Sequence, residues 1–403
     1  MTSPRRPEPA AAHPVTQAPP GPRSQWGHPA RLALGTASAL GLARFAYGLI
    51  LPAMRSELGW NLAQAGALTT ANALGYLFGA LIATPVARRL GVTVTFRLGM
   101  ALTAVTLAAT AATGDYPVLL LARAAAGLSG ALVFITGGVI ASHAAASTRS
   151  AAPLTIYYSG AGLGIAFSGA FIPPLLGHHP DWWPLAWAGL AAAAGLATIL
   201  SWTAARGGGD ATTTDTRTGL RATAQLWRPA TAYLLFAAGY IAYITFLSVY
   251  LAAHHASVAQ ITLTWALLGL AAVAAPAIWS RSLRLWPGTR PLTALLAVLS
   301  VTSAAALIPA PLLAVAASAI GYGATFLAVP AAVTALIRSA TPPSQWTSTL
   351  AIFTVIFAAG QICGPYLAGA LADHYGTGAT LVWAAALCAA GAALSVISRI
   401  KDR

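Results

Sequence analysis

Residues 206–228 read RGGGDATTTDTRTGLRATAQLWR, the longest polar interruption in a 403-residue chain that is 57% hydrophobic and 7% charged. A soluble domain carries about 25% charged residues. This chain cannot cover its surface with charge, so lipid must be most of its solvent. Outward from the interruption, both sides fall into apolar runs. A helix needs roughly 20 apolar residues to cross a hydrocarbon core about 30 Å thick. A backbone in lipid must also satisfy its own hydrogen bonds, which selects helices. Upstream, the runs predict spans at 31–53, 62–84, 93–114, 117–142, 151–176 and 183–205. Downstream they predict 229–253, 257–280, 291–309, 311–337, 345–371 and 377–399. The expected architecture is all-α and integral to the membrane, with twelve transmembrane helices in two pseudo-symmetric six-helix bundles. The bundles are residues 31–205 and 229–400, joined by a linker at 206–228, with a disordered tail at 1–30.

The net charge is +14, and Lys401 is the single lysine. The arginines lie between apolar runs and form no stripe with stacking aromatics, which argues against nucleic acid as a partner. Their placement sets orientation instead. With the N-terminus inside, Arg88, Arg89, Arg97, Arg149, Arg206, Arg217, Arg221, Arg228, Arg281, Arg284, Arg290 and Arg338 fall on the cytoplasmic side, and the outer loops keep Arg55. This asymmetry predicts that both termini are cytoplasmic. The 12 Trp and 12 Tyr suit two membrane–water interfaces. Residues 1–30 have no apolar core, so they are not read as a signal peptide. Cys363 and Cys388 lie inside apolar segments at no metal or redox spacing. The pairs His178–His179 and His254–His255, and His143, bring no carboxylate at ligand spacing, so no metal and no cofactor is expected.

The two halves echo one another. RSAAP at 149–153 precedes the fifth span and RSATP at 338–342 precedes the eleventh. RAAAGLSGA at 123–131, GQICGPYLAG at 360–369 and TPVARRLG at 84–91 then resemble motifs of the major facilitator superfamily, over roughly residues 30–400. Arg88 stands where that superfamily usually has an aspartate, and a closer echo of the same pattern, GALADHYG, lies at 369–376 on the opposite side. LARFAYGLILPAMRSELGW at 42–60, AQAGALTTANALGYLFGAL at 63–81 and GAGLGIAFSG at 160–169 resemble its YbfB/YjiJ-type branch. Two six-helix halves joined by a loop imply a site at the midplane between them, and the resemblance implies transport, in a bacterial inner membrane.

Arg44 is the most informative residue, because a charge near the middle of a span is costly and by default functional. No acid lies in the apolar middle of any span, so a substrate carboxylate or phosphate is one partner for it, and backbone carbonyls with water the other. Tyr47, three residues on, shares its face. Arg123 is expected to bind substrate, to snorkel, or to pair with Asp115. Asn72 and Tyr76 share a face of the second span, and Tyr233, Phe236, Tyr240, Tyr243 and Tyr250 form a stripe on the seventh. Tyr240 and Tyr243 are its deepest members and candidates for cavity contacts. Gly127, Gly160, Gly162, Gly164, Gly360 and Gly364 read as close-packing or hinge positions, and Pro365 as a bend. Asp115 and Asp373, near span ends, are the candidates for proton coupling.

These residues favour a secondary transporter of a small organic solute by alternating access, with proton-coupled export left open and a monomer expected. A membrane-embedded enzyme would need clustered acids, histidines or a serine–histidine pair at membrane depth. A receptor would normally bring a sizeable soluble domain. No glycine loop with lysine for ATP is present.

Overall fold

The computed structural model describes residues 22–205, 222–308 and 312–397. Eleven of its helices are long and apolar enough to cross a membrane, and a twelfth is shorter. In chain order they are α1 (Gly27–Leu58), α2 (Leu62–Leu90), α3 (Val92–Ala111), α4 (Tyr116–Thr148), α5 (Ala152–His178) and α6 (Pro180–Ser201). The second half gives α7 (Trp227–Ala253), α8 (Val258–Leu285), the shorter α9 (Arg290–Ala305), α10 (Leu313–Ala340), α11 (Pro343–Tyr375) and α12 (Gly378–Ile397). Helical turns already begin at Pro22, so residues 22–30 of the expected tail are helical. Residues 1–21 of the tail, 206–221 of the linker, the end of the ninth expected span at 309, the start of the tenth at 311, and 398–400 at the end of the twelfth span and second bundle lie outside the described residues.

Local chemistry sets the ends of these helices. Asn61 and Gln64 cap the start of α2 reciprocally, as Ser257 and Gln260 do for α8. Gly91, with φ +84°, makes the turn out of α2. Two helices depart from the regular spans expected. In α1, residues Ala37–Phe45 form a π-helix, with the Ala46 N–H donating to the Gly41 carbonyl at 3.0 Å. The backbone of α1 lies directly on α5 here: a Cβ on Gly164 would stand 2.8 Å from the Gly41 Cα. In α10, the helix stops at Phe326 and restarts at Val329. Pro330 has no N–H to give the Phe326 carbonyl, so the hydrogen-bond ladder breaks there. By contrast α11 runs through Pro365 without a break in its helical turns.

Within the first half α4 packs on α2 and α3, α3 on α6, and α1 on α5. Within the second, α7 packs on α11 and α12, α8 on α10, and α9 on α10 and α12. Three seams join the halves: α5 on α8, α2 on α11, and α1 on α7. Because the helices alternate in direction, one face carries both ends of the described chain and the other carries the α1–α2 and α11–α12 turns. On that far face the halves are closed. Thr70 Oγ1 of α2 donates to the Ile362 carbonyl of α11 at 2.7 Å, and Gly66 and Gly369 lie against the Pro365 and Leu62 carbonyls. On the termini face, α4 and α5 line a cleft of about 370 Å³ bordered by Phe134, Ile135, Gly138, Val139, Ser142, His143 and Tyr158. Leu121 and Ile199, each 71% exposed, belong to the apolar belt that faces lipid.

Candidate functional site

Arg44 sits in the last turn of the π-helix, near the middle of α1, and is 7% exposed. Its Nε and Nη2 have no hydrogen-bond partner among the described residues. The guanidinium carbon stands 5.1 Å from the centre of the Tyr76 ring. Cation–π attraction offsets part of the cost of desolvating the charge but leaves the N–H donors unused.

The surroundings of Arg44 come from both halves. On one side Tyr76 packs 6.4 Å from Phe134, which lies 5.2 Å from Tyr158 at the mouth of the cleft. From the other half, Tyr240 lies within electrostatic reach of Arg44 and of Tyr76. Its ring is 5.8 Å from Phe357 and 6.1 Å from Phe326, and Phe326 meets Phe45 edge-on at 5.8 Å. The Tyr240 hydroxyl accepts a hydrogen bond from Gln361 Nε2. One cation, a set of rings and an amide–hydroxyl pair therefore converge between the halves. Arg44, Tyr76 and Tyr240 are the predicted residues brought together there.

Gln361, Phe45, Phe326 and Phe357 were not singled out from sequence. Gln361 had a usable signal: it is an amide in the interior of an apolar span, embedded in GQICGPYLAG.

Other predicted residues lie elsewhere. Arg123 is 1% exposed and does not snorkel. Its Nη1 donates to the Ala43 carbonyl at 2.6 Å, and its guanidinium lies 5.1 Å from the Tyr47 ring and 5.2 Å from Trp187. Asp115, its expected partner, instead accepts from the Val118 N–H at 3.0 Å as the N-cap of α4. Tyr47 donates its hydroxyl to the Ala65 carbonyl at 2.8 Å. Asn72 Nδ2 donates to the Arg123 carbonyl at 3.1 Å, and its Oδ1 has no partner among the described residues. These residues clamp α1, α2, α4 and α6 together. Through the Ala43 carbonyl they hold the turn that presents Arg44. Tyr243 stacks on Tyr322 with ring centres 3.8 Å apart and shares a 3.0 Å hydrogen bond with Ser318, inside the second half.

Asp373, the other proton-coupling candidate, bridges the halves on the far face. Its Oδ1 accepts from the Leu62 N–H at 2.7 Å and its Oδ2 from the Ala63 N–H at 3.0 Å. The carboxylate thus caps the positive end of the α2 dipole from the end of α11.

Most of the expected hinge glycines pack helices inside one half. Gly127 faces the Asn72 carbonyl, Gly160 the Ala33 carbonyl, and Gly164 the Ala37 carbonyl. Gly360 and Gly364 face the Leu234 and Ala238 carbonyls of α7. Gly162 alone of this set lies between halves, where a Cβ would be 2.7 Å from the Gly269 carbonyl of α8. Among the described residues no group of three or more His, Cys, Asp or Glu could hold a metal ion.

A family model described as "Uncharacterised MFS-type transporter YbfB" matches residues 36–399. No curated protein matches the chain. The chain is similar to the crystal structure of the nucleoside transporter NupG, with TM-score 0.72 and 14% identity, over 91% of this chain and 98% of that one. It is also similar to a bacterial homolog of the human lysosomal transporter Spinster, in an inward-facing and unoccupied conformation. That match has TM-score 0.65 and 15% identity, over 91% of this chain and 94% of that one. At such identity these two likenesses speak to the fold.

Proposed function

This chain belongs to the family of YbfB-type MFS transporters, and from that premise we propose that it carries a small organic anion across the membrane by alternating access. Being of that family, it is a transporter and not an enzyme. The observation that carries the proposal is Arg44, a buried guanidinium with Nε and Nη2 unpartnered among the described residues, between two helical halves. A buried cation without a counter-ion is expensive, and pairing it recovers much of the cost. An anionic solute is the partner that makes the position favourable, and it does so only while bound.

In the proposed cycle, residues 31–205 and 229–400 rock as two bodies about the α5–α8 and α2–α11 seams, with 206–228 as the connecting linker. The closed far face and the cleft on the termini face support an inward-facing arrangement, with both termini cytoplasmic in a bacterial inner membrane. Arginine placement supports the same orientation. Arg97 Nη2 donates to the Trp202 carbonyl at 2.7 Å just past α6, and Arg228 to the Ile397 carbonyl at 2.9 Å at the end of α12. Cations at helix C-termini on one face satisfy both the dipoles and the positive-inside rule. Both halves that flank Arg44 belong to one chain, and the working unit is proposed to be a monomer.

Asp115 and Asp373 serve as helix caps, so coupling is assigned to the charge of the solute itself instead of to a protein carboxylate. An interior-negative potential expels an anion, with about 2.3 kcal/mol per charge per 100 mV. That corresponds to roughly a fiftyfold concentration ratio at equilibrium. The direction proposed is therefore export.

The test uses purified protein in proteoliposomes and measures counterflow of labelled organic anions. Arg44→Ala is expected to abolish counterflow while inserting and melting normally; counterflow at the wild-type rate would overturn the anion contact. A potassium-diffusion potential is expected to shift the equilibrium distribution of the anion. If only a pH gradient shifts it, proton coupling replaces charge coupling.

A further inference from the structure

We infer that the end of α6 on the termini face, where α1 and α3 meet it, binds an anionic phospholipid, with Arg31 and Arg97 on the headgroup phosphate. This site is separate from Arg44 and does not rest on the reading given to it.

Two guanidiniums converge there on one turn of chain. Arg31 of α1 donates Nε to the Leu200 carbonyl at 2.9 Å and Nη2 to the Thr203 hydroxyl. Arg97 of α3 donates Nε and Nη2 to the Trp202 carbonyl at 3.0 and 2.7 Å, with its guanidinium carbon 4.9 Å from the centre of a Trp202 ring. The acceptors all fall within residues 200–203, so the two charges are held close together. On each guanidinium Nη1 has no hydrogen-bond partner among the described residues.

Satisfying the helix end accounts for one of these cations but not for both. A helix C-terminus carries about half an elementary negative charge. The corresponding end of α12 shows what it requires. There Arg228 donates to the Ile397 carbonyl at 2.9 Å, and the Thr289 hydroxyl donates to the Ser395 carbonyl at 2.7 Å. One guanidinium and one hydroxyl do in the second half what two guanidiniums do at α6. No described acid neutralises the excess. Glu57, Asp115, Asp181 and Asp373 all lie at helix ends on the far face. The linker sequence that follows α6 sets Arg206, Arg217, Arg221 and Arg228 against Asp210 and Asp215, so it adds no net negative charge. A phosphodiester placed across the two open Nη1 groups supplies the missing anion.

What lies beside the arginines selects a lipid over a soluble phosphate. Toward the middle of the membrane, Leu98 and Val105 of α3 and Leu196 and Ile199 of α6 are exposed, and α3 packs on α6. Acyl chains lie along this apolar surface while the headgroup stays level with Trp202, an exposed indole suited to the interface. Basic pockets between helices at this depth are suited to anionic headgroups.

The experiment uses native mass spectrometry on the purified full chain in mild detergent. The probes are phosphatidylglycerol, phosphatidylcholine and soluble glycerol 1-phosphate. Phosphatidylglycerol is expected to bind roughly tenfold tighter than phosphatidylcholine, and equimolar glycerol 1-phosphate is expected not to displace it. Arg31→Gln/Arg97→Gln is expected to abolish the preference. Arg281→Gln/Arg284→Gln, which removes the same charge near the end of α8 on the same face, is expected to keep it. Should the first double variant fail to fold, Arg97→Gln alone leaves Arg31 on α6 and is expected to cut the preference roughly threefold; an unchanged preference there overturns the site. No preference in the wild type, or equal loss in both double variants, overturns it in favour of diffuse surface charge. Displacement by glycerol 1-phosphate would make this a soluble-phosphate site and overturn the lipid.

Discussion

Arg44 and Arg123 are both arginines buried in apolar helices, and their partners divide them into opposite roles. Arg123 spends Nη1 on the Ala43 carbonyl and is flanked by two rings, with its Nε alone unpartnered among the described residues. Arg44 has two donors without partners among the described residues. Removing a hydrogen-bonded buried charge costs on the order of 2 kcal/mol or more, whereas removing an unpartnered one relieves a desolvation penalty. Arg123→Leu is therefore expected to lower the melting temperature in detergent and Arg44→Ala to leave it unchanged or raised; the reverse order would exchange their roles. Arg44 was legible in the sequence because a charge amid apolar residues is visible without a structure. Tyr47 was not, because spacing puts it on the face of Arg44 but does not say that its hydroxyl ends on the Ala65 carbonyl.

At the scale of elements, the end of α11 and the start of α2 form a latch across the halves. The Asp373 carboxylate takes the Leu62 and Ala63 N–H groups, two of the donors that a helix start leaves unsatisfied. Behind it, Thr69 and Thr245 share a 3.2 Å hydrogen bond between α2 and α7. Opening the far face must break both. Asp373→Ala is expected to raise modification of a Thr245→Cys reporter by a far-side thiol reagent roughly tenfold, the population shift worth about 1.4 kcal/mol. No change in rate would mean that the carboxylate does not hold the far face closed. The acid itself was visible in GALADHYG, but its partner is 311 residues away in sequence, so it read as a proton-coupling candidate. The π-helix in α1 and the break in α10 were equally out of reach as assignments. Hydropathy reports the length of an apolar run, and a wider turn or a two-residue break leaves that length unchanged.

At the scale of the whole molecule, alternating access requires some seams to slide while others stay locked. The α5–α8 seam, where Gly162 meets Gly269, joins the halves; the α1–α5 seam, where Gly164 meets Ala37 and Gly41, lies within one half. Gly162→Leu is expected to stop counterflow with binding of the solute retained, because it jams motion between bodies that are each intact. Gly164→Leu is expected to lower expression and melting temperature, because it wedges one body apart. Identical behaviour of the two variants in both assays would remove the distinction between sliding and locked seams.

The amino-acid sequence by itself determined that the chain lives in lipid, that it spans the bilayer about twelve times, and that its halves are related. Those properties follow from counts, run lengths and local repeats, which need no partner in space. Only the tertiary structure decided which buried polar groups are already satisfied, which glycines lie between halves, and that Gln361 joins Tyr240 beside Arg44. A hydrogen bond or a close backbone approach is a relation between segments far apart in the chain, and hydropathy carries no record of which helix faces which.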